Sequence, residues 1–168
     1  PLEWMASMGF LDAPFFAAHM SAMNWETDPA ILKKYGAVIT LCPLIGSPGR
    51  SVQSLTETKA AGIALNLGID SPINNYLETL RMAVVLEKMK LKYFKNDKMQ
   101  GQTFTMLEAI DCATRIPAKG LRRDDLGVIK EGAKADLISI NLSNPPVGPG
   151  IMPPEPLSSL LYTNSSSV

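Results

Sequence analysis

An α/β fold built on a parallel sheet is what this sequence predicts. Three observations carry the prediction. Residues 15–20, 37–42 and 63–68 are short, continuous apolar runs bounded by turn residues, the pattern of strands buried on both faces. Helical patterns separate them. The runs start at Phe15, Val38 and Ile63, so one strand–helix unit separates each start from the next.

Residues 2–8 read as a short helix stopped by Gly9, a natural left-handed cap. Phe15-Phe16-Ala17-Ala18-His19-Met20 is the first strand. Asp28-Pro29 supplies an N-cap and a first-turn proline for a helix whose apolar face holds Ile31, Leu32 and Tyr35 and which ends at Gly36. Ala37-Val38-Ile39-Thr40-Leu41-Cys42 is the second strand, stopped by Pro43. A Gly/Pro loop over residues 45–49 follows, then a helix capped by Ser51 and running to Ala61. Ile63-Ala64-Leu65-Asn66-Leu67-Gly68 is the third strand, leading into Ile69-Asp70-Ser71-Pro72. Crossovers between such strands are right-handed almost without exception, so all three point the same way. His19 and Asp70 then fall on one rim, at strand carboxyl ends, where α/β folds place their chemistry.

Beyond Asp70 the pattern changes. Residues 76–94 predict a long helix with a core stripe of Met82, Val85, Leu86, Met89 and Tyr93, broken at Asn96-Asp97. Residues 102–113 predict another, with Met106, Ala109, Ile110 and Ala113 buried. A turn over residues 127–132 leads into a strand at 135–141. Residues 143–156 hold six prolines and read as an extended wrapping loop, and 157–162 as a last helical turn or strand.

Composition narrows the function classes. Of 168 residues, 46% are hydrophobic and 19% charged, ordinary for a globular protein. Lys plus Arg and Asp plus Glu balance at 16 each, so no global charge draws the chain to nucleic acid or anionic lipid. No apolar run is long enough to span a membrane, and the first residues, Pro1 to Met5, do not read as a secretory leader. Two cysteines without a paired framework, Cys42 and Cys112, fit a cytoplasmic, reducing setting. Cys42 reads as a small buried hydrophobe, because no base sits near it in sequence. There is one histidine, His19. Catalytic zinc takes about three protein ligands, so this chain makes a poor complement for a self-contained site. Read alone, a histidine at a strand end is more often a hydrogen-bonded structural residue, and an aspartate there is often just a helix cap.

Several segments resemble a known family in order and spacing. Ala17-Ala18-His19-Met20 looks like the sixth-strand histidine motif of the deaminase-like amidohydrolases, which include cytosine, guanine and methylthioadenosine deaminases and triazine hydrolases. Leu41-Cys42-Pro43 resembles their seventh-strand Cys-Pro, and Leu67-Gly68-Ile69-Asp70-Ser71 their eighth-strand Leu-Gly-Thr-Asp-Gly. Ala113-Thr114, then residues 123–129 and 132–137, follow their C-terminal signature, and residues 160–168 resemble the segment before their last strands. The chain departs from the pattern at Leu44-Ile45, where Ser-Asn is usual, and at Ile69, Ser71, Arg122 and Ala133.

The resemblance implies a partial TIM-type (β/α) barrel over residues 1–122, holding the last three parallel strands. Residues 123–168 would be part of a small composite C-terminal β-domain. It implies a metal-dependent hydrolase of non-peptide carbon–nitrogen bonds, with a divalent ion, Zn or Fe, and a small amine-bearing heterocycle as substrate. Asp70 matches the catalytic aspartate that also touches the metal, and His19 a catalytic histidine that orients the attacked group. The family's first-strand His-x-His and fifth-strand His have no counterpart here, so the chain is expected to begin after the fifth strand and to be inactive by itself. Three parallel strands also leave two open edges, since a barrel needs about eight. A homo-oligomer is therefore expected, and a non-catalytic module that self-associates through those edges is the competing expectation. A flavodoxin-like phosphate site is a third, with residues 45–49 its one candidate loop and Pro48 lacking a needed donor.

Overall fold

The computed structural model describes residues 1–45, 54–70, 74–93, 103–140 and Leu157. Helix α1 (Leu2–Ser7) and a single 3₁₀ turn (Phe10–Asp12) precede strand β1 (Phe16–Ala18). Helix α2 (Asp28–Tyr35), strand β2 (Val38–Leu41), helix α3 (Leu55–Ala60) and strand β3 (Ala64–Leu67) complete the alternation. Helices α4 (Tyr76–Tyr93), α5 (Met106–Ala113) and α6 (Arg115–Gly120) follow.

The strands form one parallel sheet in the order β1-β2-β3, with Phe16 opposite Val38 and Val38 opposite Ala64. Three parallel strands with covering helices match the α/β fold that the sequence predicts and the partial TIM-type barrel that the resemblance implies. Ile39, Leu41, Leu65 and Leu67 point into a core shared with Leu11, Leu32, Leu55, Val84, Phe104 and Met106. Burying such side chains contributes about 1.5–3 kcal/mol each, which is what holds the helices on the sheet.

Two helix starts differ from expectation. Asp28 lies inside the first turn of α2 rather than at its cap. Its buried carboxylate turns back to accept from the Asn24 amide at 2.9 Å. Pro29 still falls where no amide donor is needed. Helix α3 is capped by Ser54, whose Oγ accepts from the Glu57 amide at 3.2 Å, and not by Ser51. Ser51 itself and the loop after Ile45 lie outside the described residues, as do Asn96-Asp97, the proline-rich stretch 143–156 and, apart from Leu157, the last segment.

Helix α4 turns a different face inward than hydropathy predicts. Leu80, Ala83, Val84 and Glu87 are buried, whereas Met89 and Tyr93 are exposed and Met82, Val85 and Leu86 half-buried. The buried face includes a carboxylate. Glu87 accepts from Ser54 Oγ (2.8 Å) and the Thr56 amide (3.1 Å), and pairs with Lys90 (3.1 Å), tying α4 to the start of α3. A hydrophobic stripe cannot register an anchor of this kind. Helix α5 starts from a reciprocal Thr105–Glu108 capping box and buries Met106, Ala109 and Cys112, with Ile110 and Ala113 half-buried. Helix α6 was not foreseen from the sequence. Pro117 sits in the first turn, where its missing amide is harmless.

The strand expected at 135–141 is absent over the described residues 135–140, which have no regular structure. Leu137 and Ile138 are exposed there. A strand needs a neighbour to accept its ladder, and among the described residues the only ladders are those joining β1, β2 and β3.

Candidate active site

Because the strands are parallel, their carboxyl ends share one rim. His19 follows β1, Cys42 follows β2 and Asp70 lies just beyond β3. Backbone pairing continues one step past the strands. The His19 amide donates to Thr40 O and the Gly68 amide to Leu41 O, each at 2.9 Å, which fixes where the three segments leave the sheet.

At the rim the backbone turns left-handed. His19 has φ 61°, Met20 48° and Asp70 55°; among the described non-glycine residues only Arg122 joins them, at 57°. Such conformations cost about 1–3 kcal/mol each and persist where the surroundings over-determine them. The Arg122 guanidinium also donates to Asp12 O.

The structure brings both sequence-predicted residues together. His19 Nε2 stands 3.1 Å from Asp70 Oδ2, with the side chains 42% and 31% exposed, so the pair is open to a small molecule. Cys42 joins them. One ligand atom from each of His19, Cys42 and Asp70 lies within 4.8 Å of the others. Burial, and then the Asp70 carboxylate, push the Cys42 thiol above its ordinary range, which keeps it neutral and unreactive as a nucleophile. Gly68 lies against it: a Cβ there would stand 3.0 Å from Cys42 Sγ and from Thr40 Cγ2. An imidazole, a thiol and a carboxylate form a donor set suited to a borderline ion such as Zn²⁺.

Sequence reasoning missed two members of this rim. Cys42 was set aside because its neighbours are distant in sequence; the parallel register makes them neighbours in space. Tyr76 opens α4 and donates its hydroxyl to Leu67 O at 2.8 Å, pinning the helix start to the end of β3. Burial first, and then Cys112 and Cys42, push its phenol up to about 12, so it stays a donor. The short interval between Asp70 and Tyr76 was the signal available.

A parallel β/α rim carrying His, Cys and Asp donors defines a partial barrel of metal-site character. The chain belongs to the amidohydrolase family, whose model matches residues 1–166. It is 26% identical over 99% of its length to a 5'-deoxyadenosine deaminase of Methanopyrus kandleri, covering 37% of that protein. It is 35% identical over 89% of its length to a 5-methylthioadenosine/S-adenosylhomocysteine deaminase of Thermococcus sibiricus, covering 34% of it. Among solved structures it resembles a zinc-bound adenosine deaminase from Xanthomonas campestris. The TM-score is 0.73 at 22% identity, over 96% of this chain and 36% of that one. The chain thus spans about a third of the length of the relatives it matches.

Proposed function

We propose that this chain carries the His19–Asp70 part of the active site of a metal-dependent hydrolase acting on non-peptide carbon–nitrogen bonds, in the manner of a deaminase. The observation that supports it most is the 3.1 Å approach of His19 Nε2 to Asp70 Oδ2 on the carboxyl rim. The relatives' names supply the substrate class, a small heterocycle with an exocyclic amine. A divalent ion, Zn or Fe, supplies a lowered water pKa of about 7 when bound. Asp70 would touch that ion, take the proton of the attacking water and return it to the leaving amine. His19, beside it on the rim, would orient the attacked group. The remaining ligands would come from residues outside these 168, so the chain alone is expected to be inactive. Residues 1–122 then belong to the barrel and residues 123–168 to a composite β-domain, in a cytoplasmic enzyme.

The test is a longer product, read from the open frame upstream of Pro1 and carried through Val168. It should release ammonia from an aminopurine nucleoside, and Asp70→Asn should lower kcat by about 10³-fold. A folded, metal-loaded longer product that releases no ammonia from any aminoheterocycle would overturn the reading, as would full activity in the Asp70→Asn variant.

One observation favours a second reading. Among the described residues β1 and β3 each pair only with β2, leaving an open edge on both sides. A self-associating module would use those edges. Sizing at rising concentration separates the two, because a monomer at every concentration removes the module.

A further inference from the structure

We propose that Tyr76 is a positioning residue for Asp70: its hydroxyl clamps the peptide unit from which Ile69 and Asp70 leave the sheet, and so sets where the carboxylate stands. The inference rests on the reading of Asp70 as the group that moves the proton, and adds a residue which that reading does not use.

A single peptide unit carries the argument. Leu67 C=O and Gly68 N–H belong to the same planar trans group, so they point in opposite directions. The Gly68 amide donates toward β2, to Leu41 O at 2.9 Å. The Leu67 carbonyl therefore faces the other edge of β3, where among the described residues no strand pairs. There it accepts from the Tyr76 hydroxyl at 2.8 Å. The plane is thus held from both sides. Gly68 is also hemmed in on its own face of the sheet, since a Cβ there would stand 3.0 Å from Cys42 Sγ and from Thr40 Cγ2.

Asp70 depends on that plane. It lies two residues further on with φ 55°, a left-handed conformation that persists where its surroundings over-determine it. Two residues reach roughly 7 Å, so rocking the plane by roughly 10° carries the carboxylate about 1 Å. That is enough to open the 3.1 Å approach of Asp70 Oδ2 to His19 Nε2 beyond hydrogen-bond range. The clamp is itself delivered from a fixed support: Tyr76 opens α4, whose Leu80, Ala83 and Val84 are buried in the core. Upstream the peptide is tied to β2 and downstream the chain is tied back to it by Tyr76, so Asp70 stands between two attachments.

The chain's single histidine makes the test direct. In the ¹⁵N-labelled chain, the ring resonances of His19 report its approach to Asp70. Tyr76→Phe, which removes one oxygen, should move them toward their positions in Asp70→Asn. Glu87→Gln, which loosens α4 at its bonds to Ser54 and Thr56, should leave them in place. Unmoved His19 resonances in a folded Tyr76→Phe chain, or the same shift in Glu87→Gln, would overturn the inference. This measurement needs no turnover, so it holds whether or not a longer product hydrolyses anything. In such a product Tyr76→Phe should lower kcat by about 10- to 10²-fold with KM within about twofold, and should add nothing to Asp70→Asn. An unchanged kcat, or a loss that multiplies with that of Asp70→Asn, overturns the positioning role and leaves the proposed hydrolase intact. Should Tyr76→Phe not fold, the unaltered chain decides. A Tyr76 hydroxyl proton that exchanges slowly enough to be resolved supports the clamp, and one that exchanges like a free phenol refutes it.

Discussion

The sheet and residues 123–140 are both supplied with large aliphatic side chains, yet they treat them in opposite ways. Val38 and Ile39 of β2 are fully buried, whereas Ile129, Leu137 and Ile138 leave 89%, 61% and 73% of their surface in water. The difference is one of where the partners lie. Each strand of the sheet finds its neighbour one strand–helix unit away, so the whole parallel unit assembles from nearby sequence. Residues 135–140 of the other segment carry a partly alternating apolar pattern without a described strand to pair with. That segment's bonds are mostly internal: the Lys134 amide donates to Asp125 O, and Arg123 pairs with Asp125, lowering that carboxyl to about 2 mainly through the guanidinium hydrogen bond, while the Arg123 amide reaches back to Ala118 O. Sequence pattern announces a strand in both regions, but a strand is a property of a pair.

The largest break of this contrast should come from the well-packed side. Phe104 is 1% exposed and sits in the core under the sheet. Phe104→Ala should cost about 3–5 kcal/mol, through lost burial and the cavity left behind. Urea unfolding followed by circular dichroism measures it. A loss below 1 kcal/mol would mean that the core is not closed around this ring.

Next in size is the joint between the regions. Gly127 has φ 69°, and a Cβ there would stand 2.5 Å from Thr114 O, a backbone atom that cannot swing aside. Gly127→Ala combines a left-handed alanine with a backbone clash and should cost about 2–3 kcal/mol. Protease sensitivity should rise after residue 122 and leave the sheet protected. Equal loosening of both regions would show that they unfold as one unit.

How much was legible follows the same division. The order of strands and helices, their parallel sense and the shared rim of His19 and Asp70 could be read, because hydrophobic continuity and crossover handedness are local rules. The inward face of α4 could not, because Glu87 is buried for its hydrogen bonds and a hydropathy pattern favours Met89 and Tyr93 instead. Helix α6 was hidden by a proline placed where helices tolerate it. Cys42 was visible as a residue but not as a neighbour of His19, since proximity across strands depends on register and not on spacing along the chain.

Glu87 also gives a pH test of the packed region. Burial opposes its charge, but the Thr56 amide, Lys90 and Ser54 outweigh burial and hold its carboxyl below the ordinary range. A carboxyl lowered by folding stabilises above its unfolded pKa of about 4.3, and that contribution disappears as pH falls through the lower folded value. Glu87→Gln should therefore cost about 1–3 kcal/mol at pH 7. The gap from the unaltered chain should close as the pH drops below about 4. Thermal melts at pH 7, 5, 4 and 3 would show it. A gap independent of pH would mean that the side chain acts through its shape and not through its charge.

The smallest expected effect is the sharpest probe of the exposed side. Ile138 is 73% exposed, so replacing it with lysine removes almost no burial. Ile138→Lys should change the stability of this chain by less than about 0.5 kcal/mol, as substitutions on a solvated surface do. In a longer product that supplies a neighbouring strand, the same position would gain cross-strand contacts worth up to about 1 kcal/mol, and the lysine would forfeit them. Paired urea midpoints of the two products read the difference. If the substitution already destabilises the 168-residue chain by more than about 1 kcal/mol, the segment is packed in solution and the contrast between the regions fails. If it is silent in both products, residues 135–140 are not a strand in either, and the composite β-domain loses its support.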